Sequence, residues 1–261
     1  MMKKSFVWGY TFLMFAFLYL PIAVLVAMSF NESKYGTFPF VFSLKWYQLL
    51  PENTRLIDGT LSSIYIAIIT AVVSVTLGTM LVSVLAKSKS KVSKWLNGLS
   101  LLPLVIPWII LGLALLLLLN ALGLNRNLFF LLMGHIVISL PYAIIVIRAR
   151  MQEMDFSIQE ASQTLGASNW TTFVKVTLPM ISPALLAGGL LSFMVSIDNF
   201  IISYFLLPVG ETVLPVEIYS SIKYGFTPEI NAISTLIIGV TMIIILLLAI
   251  IMRSSLKNLF K

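Results

Sequence analysis

The chain has 261 residues, of which 59% are hydrophobic and 10% charged, with no cysteine, one histidine and a formal net charge of +7. Soluble domains hold about 45–50% apolar and about 25% charged residues, and a single core of this size cannot hide so large an apolar excess. The composition excludes disorder and a typical soluble enzyme and points to a polytopic membrane protein, while the missing cysteines exclude disulfides, thiolate metal sites and a thiol nucleophile.

Uncharged runs cover 5–31, 59–86, 95–125, 127–147, 176–197 and 230–252. Each reaches the ~20 residues that a helix needs to cross a ~30 Å hydrocarbon core. They are continuously apolar, whereas barrel strands are ~10 residues long and alternate. The sequence therefore predicts an all-α polytopic membrane protein with six transmembrane helices, over about 6–30, 61–86, 96–121, 128–148, 182–206 and 231–252, in a single transmembrane domain spanning 1–261. The first run follows Lys3 and Lys4, and its apolar residues continue past Pro21, which predicts a retained helix rather than a cleaved signal segment. Pro103 and Pro107 predict a distorted third helix, and Pro141 a distorted fourth.

Charge placement sets the orientation. With the N-terminus inside, Lys3, Lys4, Lys87, Lys89, Lys91, Lys94, Arg148, Arg150, Lys175, Arg253, Lys257 and Lys261 fall on the inner side. Lys34, Lys45, Arg55, Arg126 and Lys223 fall outside. Glu153, Asp155 and Glu160 lie inside, Glu32, Glu52, Asp58, Glu211, Glu217 and Glu229 outside, and Asp198 within the fifth helix. Both termini are thus expected to be cytoplasmic. The basic balance reads as a topology signal facing anionic headgroups of the lipid bilayer, and no nucleic acid is expected as a partner.

The inner loop at 149–181 carries the most local information. Ser157-x-x-Glu160 has the form of a capping box, so a helix is predicted from Ser157. Ile158, Ala161 and Leu165 share a face, and Gly166 stands where a left-handed C-cap residue belongs. A second short helix is predicted after Ser168 or Asn169, stopping near Leu178-Pro179 because proline disfavours the α region in the residue before it. On these grounds alone the loop is either an ordinary helical hairpin or a docking element.

Glu160-Ala161-Ser162, three residues, Gly166, nine residues and Val176-Thr177-Leu178-Pro179 resemble the E-A-A-x3-G-x9-I-x-L-P signature of permease subunits of type I binding-protein-dependent ABC importers. Ser162 and Val176 stand where that signature has alanine and isoleucine. The resemblance implies the type I ABC importer permease fold, with a cytoplasmic coupling helix between helices four and five that docks on a separate ATPase. Glu160, Ala161, Ser162, Gly166, Leu178 and Pro179 are the coupling residues it implies. Residues 19–36, 44–50 and 192–235 are further similar to spermidine/putrescine permeases of the PotC type. That similarity implies half of a translocation pathway for polyamines; iron, phosphonate or an amino-acid-like solute is the alternative within the same importer class.

The resemblance also implies the partners: a second permease subunit in a PotB-like heterodimer or a homodimer, two ATPase subunits and an external solute-binding protein, in the bacterial inner membrane. This chain has no Walker-type Gly-Lys-Ser/Thr loop. It is therefore expected to be non-catalytic, with no cofactor or metal of its own and with ATP and Mg2+ in the partner ATPase. A stand-alone channel or secondary transporter is a different class, expected to show repeated halves. An intramembrane enzyme needs a nucleophile–base set or a metal cluster, and neither is evident.

Asp198 is the one charged residue deep in a predicted span, about eight residues or ~12 Å from its outer end. A carboxylate there marks either a pathway or a structural hydrogen bond. PotC-type permeases carry acids in this region, with a second acid where this chain has Asn199 and another near Trp108. Gly189, Ser192, Ser196, Asn199 and Ser203 form a small, polar stripe, with Asp198 ~100° away from it; the stripe either packs a neighbouring helix or lines a pathway. Ala67, Thr70, Ser74 and Gly78 form a similar stripe that reads as packing. Tyr35, Phe38, Phe40, Phe42, Trp46 and Tyr47 in the first outer loop either anchor at the headgroups or meet a cationic solute. Pro215 opens a short predicted interfacial helix with Val216, Tyr219 and Ile222 on one face. Asp198, Asn199, Ser196, Trp46, Trp108 and Tyr219 are thus the expected pathway residues, while His135, in an apolar run, reads as a packed histidine rather than a ligand.

Overall fold

The computed structural model describes residues 4–34, 37–86, 90–225 and 228–259. Lys3, Tyr35, Lys87, Lys89 and Lys261 lie outside them. In chain order the α-helices are α1 (Lys4–Ser29), α2 (Lys45–Leu49), α3 (Thr54–Ala86), α4 (Lys91–Leu101), α5 (Trp108–Ala121), α6 (Leu128–Gln152), α7 (Ser157–Thr164), α8 (Asn169–Thr172), α9 (Leu178–Ile197), α10 (Phe200–Leu206), α11 (Leu214–Tyr224) and α12 (Glu229–Leu259). Among the described residues the one extended pairing is an isolated bridge between Asn31 and Phe42.

Val7–Ser29, Thr54–Leu85, Leu128–Gln152 and Asn169–Ile197 are each long and apolar enough to cross a membrane. The expected third span is not one straight helix. Lys91–Leu104 and Trp108–Ala121 together have the required apolarity but are bent by 102°. Leu102–Leu104 tightens into a 3-10 turn, and Pro107 is extended at φ −55°, ψ 129°. Pro103 and Pro107 each remove a backbone donor, so the helix cannot continue through them. Pro141, in contrast, does not interrupt α6.

The fifth span also departs from a single helix over 182–206. α9 begins at Leu178 and stops at Ile197, and α10 starts two residues after Asp198. Asn199 caps α10, its side-chain oxygen accepting from Ile202 N–H at 2.8 Å. At the other end Pro179 does not stop the chain. Phe173–Thr177 widens into a π-helix, with Leu178 N–H bonded to the carbonyl of Phe173 five residues back. That wider turn relieves the proline ring's crowding of the carbonyl four residues before it.

By its internal contacts the chain divides into two compact units, Met1–Ile57 with Ile218–Lys261 and Asp58–Glu217. In the first, α1 and α12 pack together. α1 is apolar all round and none of its spanning window is buried within the chain, the pattern of a helix that meets lipid or another apolar surface. Asn31 organises the loop after it: its side-chain oxygen accepts from Ser33 N–H at 3.3 Å and Val41 N–H at 3.4 Å, and its amide donates to the Thr37 carbonyl at 3.3 Å.

The second unit is built on α6, which packs most extensively against α9. Its lower core gathers Val82, Ala143, Ile144, Ile147, Met151 and Ile181. Close approach is set by small residues. A Cβ on Gly188 would stand 3.3 Å from Ala143 Cα, and one on Gly78 3.5 Å from Ala143 Cβ. Ala67, Thr70 and Ser74 of α3 are buried, as expected of packing. Gly188→Val is therefore expected to destabilise the purified chain by about 1–3 kcal/mol, because it meets backbone that cannot yield. Gly189→Ala, whose Cβ meets only the Val75 side chain at 3.4 Å, is the near-neutral control in a melting experiment.

Candidate solute pathway and coupling loop

The break between α9 and α10 separates two kinds of side chain. Ser192, Ser196, Asn199 and Ser203 are all buried, whereas Asp198 is exposed on the chain's own surface. Ser192 donates to the Ser139 carbonyl of α6 at 3.2 Å. His135, also on α6, bonds Ser196 Oγ through Nδ1 at 2.8 Å and Ser203 Oγ through Nε2 at 3.1 Å. The stripe thus faces α6, and Asp198, a third of a turn away, faces out. Ser196 and Asn199 are buried at the break, while Asp198 beside them is exposed.

The His135 clamp has a simple geometric basis. Ser196 and Ser203 are seven residues apart, two helical turns, so they lie on one face with the unwound residues between them. One imidazole reaches both and fixes the two half-helices to α6. Its role was not apparent from the sequence, because the contact joins residues 61 and 68 positions apart. His135→Ala leaves two buried hydroxyls without this partner. It is expected to cost about 1–3 kcal/mol, read as a lower melting temperature; His135→Gln, with a donor and an acceptor, should recover part of it.

α10 is gripped on its other side by α5. A Cβ on Gly112 would stand 2.8 Å from Phe205 Cδ2, and one on Gly134 of α6 2.7 Å from Ile202 Cγ2. Leu119, Leu131, Ile138, Ile202 and Leu206 close the core around this contact. Trp108, half-buried, opens α5 directly after the Pro107 break. Both broken spans therefore end in a short helix, and those two short helices pack on each other.

Trp46 and Tyr219 belong to the first unit. Trp46 is only 6% exposed, its indole N–H donating to the Asn31 carbonyl at 2.6 Å. Tyr47 bonds Ser29 at 2.7 Å, and Phe30 stacks on Phe42 and Tyr47. Trp46 is thus a core residue of its loop, while Phe38, Phe40 and Phe42 remain exposed. α11 forms as expected from Pro215, with Tyr219 and Ile222 exposed and Lys223 Nζ 6.0 Å from the Tyr219 ring centroid. Its start is fixed within the second unit, where Leu214 N–H donates to Ser63 Oγ at 2.9 Å.

The loop after α6 folds as two short helices around a glycine turn. α7 begins at Ser157 as expected, but Ser157 does not cap it. Asp155 takes that place, accepting from Ser157 N–H at 2.9 Å. The backbone and side-chain hydrogen bonds from Ser157 hold the Asp155 carboxyl below the ordinary carboxylate range. Because its folded pKa is lowered, this cap is fully formed above the ordinary carboxylate pKa and is lost as pH falls through the lowered value. Gly166 has φ +88°, and Ser168 caps α8 by accepting from Thr171 N–H at 3.1 Å. Ser162–Thr172 at 3.1 Å and Gln163–Asn169 at 2.9 Å tie the two helices together. Glu160 and Ala161 are exposed, and so are Ile158, Trp170 and Leu165, the last at 89%. Leu178 and Pro179 lie beyond the π-helical turn, half-buried and exposed respectively.

Comparison with known proteins places this arrangement. The PotC permease of the spermidine/putrescine transport system of Escherichia coli (strain K12) is 31% identical over 250 residues, 96% of this chain and 95% of that protein. The PotI permease of the putrescine transport system of the same strain is 38% identical over 232 residues, 86% of this chain and 83% of its own. Among solved structures, a bacterial ABC transporter that imports the acidic polysaccharide alginate aligns at TM-score 0.68 and 18% identity, over 95% of this chain and 97% of that one. The MetNI methionine ABC transporter in inward-facing conformations aligns at TM-score 0.65 and 17% identity, over 78% and 97%. These structures share the fold, that of an ABC importer permease. Residues 74–260 match the family of binding-protein-dependent transport system inner membrane components, and with that match and these relatives the chain belongs to this family of membrane transport permeases.

Proposed function

We propose that this chain is the permease subunit of an ATP-driven polyamine importer, forming half of the translocation pathway for spermidine or putrescine. The observation that carries the reading is the exposed Asp198 carboxylate at a helix break in an otherwise uncharged span, a group suited to a cationic solute. The likeness to PotC and PotI along most of the chain supports it. The chain acts as one permease domain with six spans, the third entered through the bend between α4 and α5 and the last formed by α12. Both termini are cytoplasmic, in keeping with the distribution of lysine and arginine.

The exposed Ile158, Ala161, Leu165 face and Glu160 dock on a separate ATPase, which holds ATP and Mg2+, and the glycine turn passes its motion to α6 and α9. A second, PotB-like permease subunit completes the pathway in the inner membrane, and an external binding protein delivers the solute. Asp198 and Trp108 line the route, and Ser196 and Asn199 support it. The test is uptake of labelled spermidine and putrescine into proteoliposomes holding the assembled transporter, with binding protein outside and ATP inside. Saturable, ATP-dependent uptake of either is expected. Absence of both, with uptake of a neutral or anionic solute instead, would overturn the polyamine reading.

A further inference from the structure

α4 has its faces reversed relative to a helix of a water-soluble protein. Ser93 is buried, and Asn97 accepts from the Arg148 guanidinium of α6 at 2.9 Å, so polar side chains turn inward. Val92, Trp95, Leu99 and Leu102 turn outward, with Trp95 79% exposed. Their spacing of three, four and three residues makes one helical stripe. Lys94, Trp95, Gly98, Leu99 and Leu102 line a shallow, mostly apolar groove of about 380 Å³. The 102° bend keeps α4 from continuing along α5, so where α5 crosses the bilayer α4 runs close to its plane. Lys91 and Lys94 stand at its start, Lys87 and Lys89 precede it in the sequence, and the sequence has no acidic residue between Asp58 and Glu153 to offset them.

We propose that α4 is an in-plane lipid-binding helix of the cytoplasmic leaflet. Its apolar stripe seats at the acyl boundary, and Lys91 and Lys94 bind the phosphates of anionic phospholipids. An apolar face flanked by lysines with an interfacial tryptophan is what such a surface requires. The Asn97–Arg148 hydrogen bond joins this helix to α6, whose end leads into α7. The cytoplasmic side rests on the orientation proposed above; the lipid seat rests on α4 itself.

The absence of cysteine makes a single introduced thiol unique. The full chain carrying Leu99→Cys with a bimane label is placed in bilayers of phosphatidylglycerol and phosphatidylcholine. Bimane is expected to be quenched by brominated lipid rather than by aqueous iodide, and about twofold more by brominated phosphatidylglycerol than by brominated phosphatidylcholine. Lys91→Gln with Lys94→Gln should bring that ratio to about one, with the size-exclusion profile unchanged. Quenching by iodide, shielding from both quenchers by a covering protein surface, or equal quenching by the two lipids in the parent would overturn the lipid seat. A membrane-impermeant maleimide on Lys257→Cys scores the side separately: an outside terminus would overturn the cytoplasmic placement and the topology it rests on.

Discussion

Gly166→Pro is expected to leave the chain inserted in the membrane while lowering solute-stimulated ATP hydrolysis of the assembled transporter in proteoliposomes at least about tenfold. Proline is locked near φ −65°, and Gly166 sits at φ +88°. Its N–H also donates to the Gln163 carbonyl at 2.9 Å, and Ala167 N–H reaches back to the Ser162 carbonyl at 3.1 Å. Proline removes the first bond and the backbone angle that permits the second. The α7–α8 turn must then open, and with it the Ser162–Thr172 and Gln163–Asn169 ties. Insertion has no reason to change, since beyond its chain neighbours no heavy atom lies within 4 Å of where a Cβ on Gly166 would stand and no apolar span is touched.

The same position supplies a graded series. Alanine in the left-handed region costs about 1–2 kcal/mol, and asparagine less, because it tolerates that conformation. The loss of coupling is expected to rise from Gly166→Asn through Gly166→Ala to Gly166→Pro. A flat series, with expression and insertion verified, would mean that the turn carries no motion between an ATPase and the spans.

What the sequence disclosed about this loop and what it concealed follow from the range of the interactions. Gly166 and Ser168 act on atoms two to five residues away, so turn chemistry located them. The start of α7 at Ser157 is equally local, yet the cap differs: Asp155, two residues upstream, accepts the Ser157 N–H that the Glu160 side chain would take in a capping box. Pro179 predicts a stop because proline disfavours the α region in the residue before it. The π-helical turn at Phe173–Thr177 is another way to satisfy the same steric constraint.

The broken spans show the other limit. Pro103 and Pro107 signalled distortion, but an uncharged run has the same composition whether it crosses straight or turns through 102°. Only the polar face of α4, held by Arg148, distinguishes the two, and that contact joins residues 51 positions apart. No proline or glycine marks the Asp198–Asn199 break. It exists because His135 and the Asn199 cap stabilise two half-helices better than one continuous turn, and both depend on tertiary placement. The small-residue stripe was visible as a stripe; its burial against α6, which leaves Asp198 facing out, was not.

Asp198→Asn is expected to reduce uptake of labelled spermidine and putrescine about 10–100-fold while leaving insertion and melting temperature unchanged. Asparagine has nearly the same shape, so the C-cap geometry of α9 survives, and only the charge offered to a cation is lost. A hydrogen bond to a charged group contributes about 1.5–3 kcal/mol, which converts to that range of rates. Asp198→Glu keeps the charge and should fall between. His135→Ala provides the structural comparison, since it loosens the same break from behind and should lower melting temperature and uptake together. If Asp198→Asn instead behaves like His135→Ala, the carboxylate is part of the scaffold. If it changes nothing while Gly166→Pro still abolishes coupling, the importer works but its solute is not recognised as a cation at this break. In the proposed cycle the two positions have different parts, one meeting solute charge and one receiving ATPase motion, so their variants separate what is carried from how it is driven.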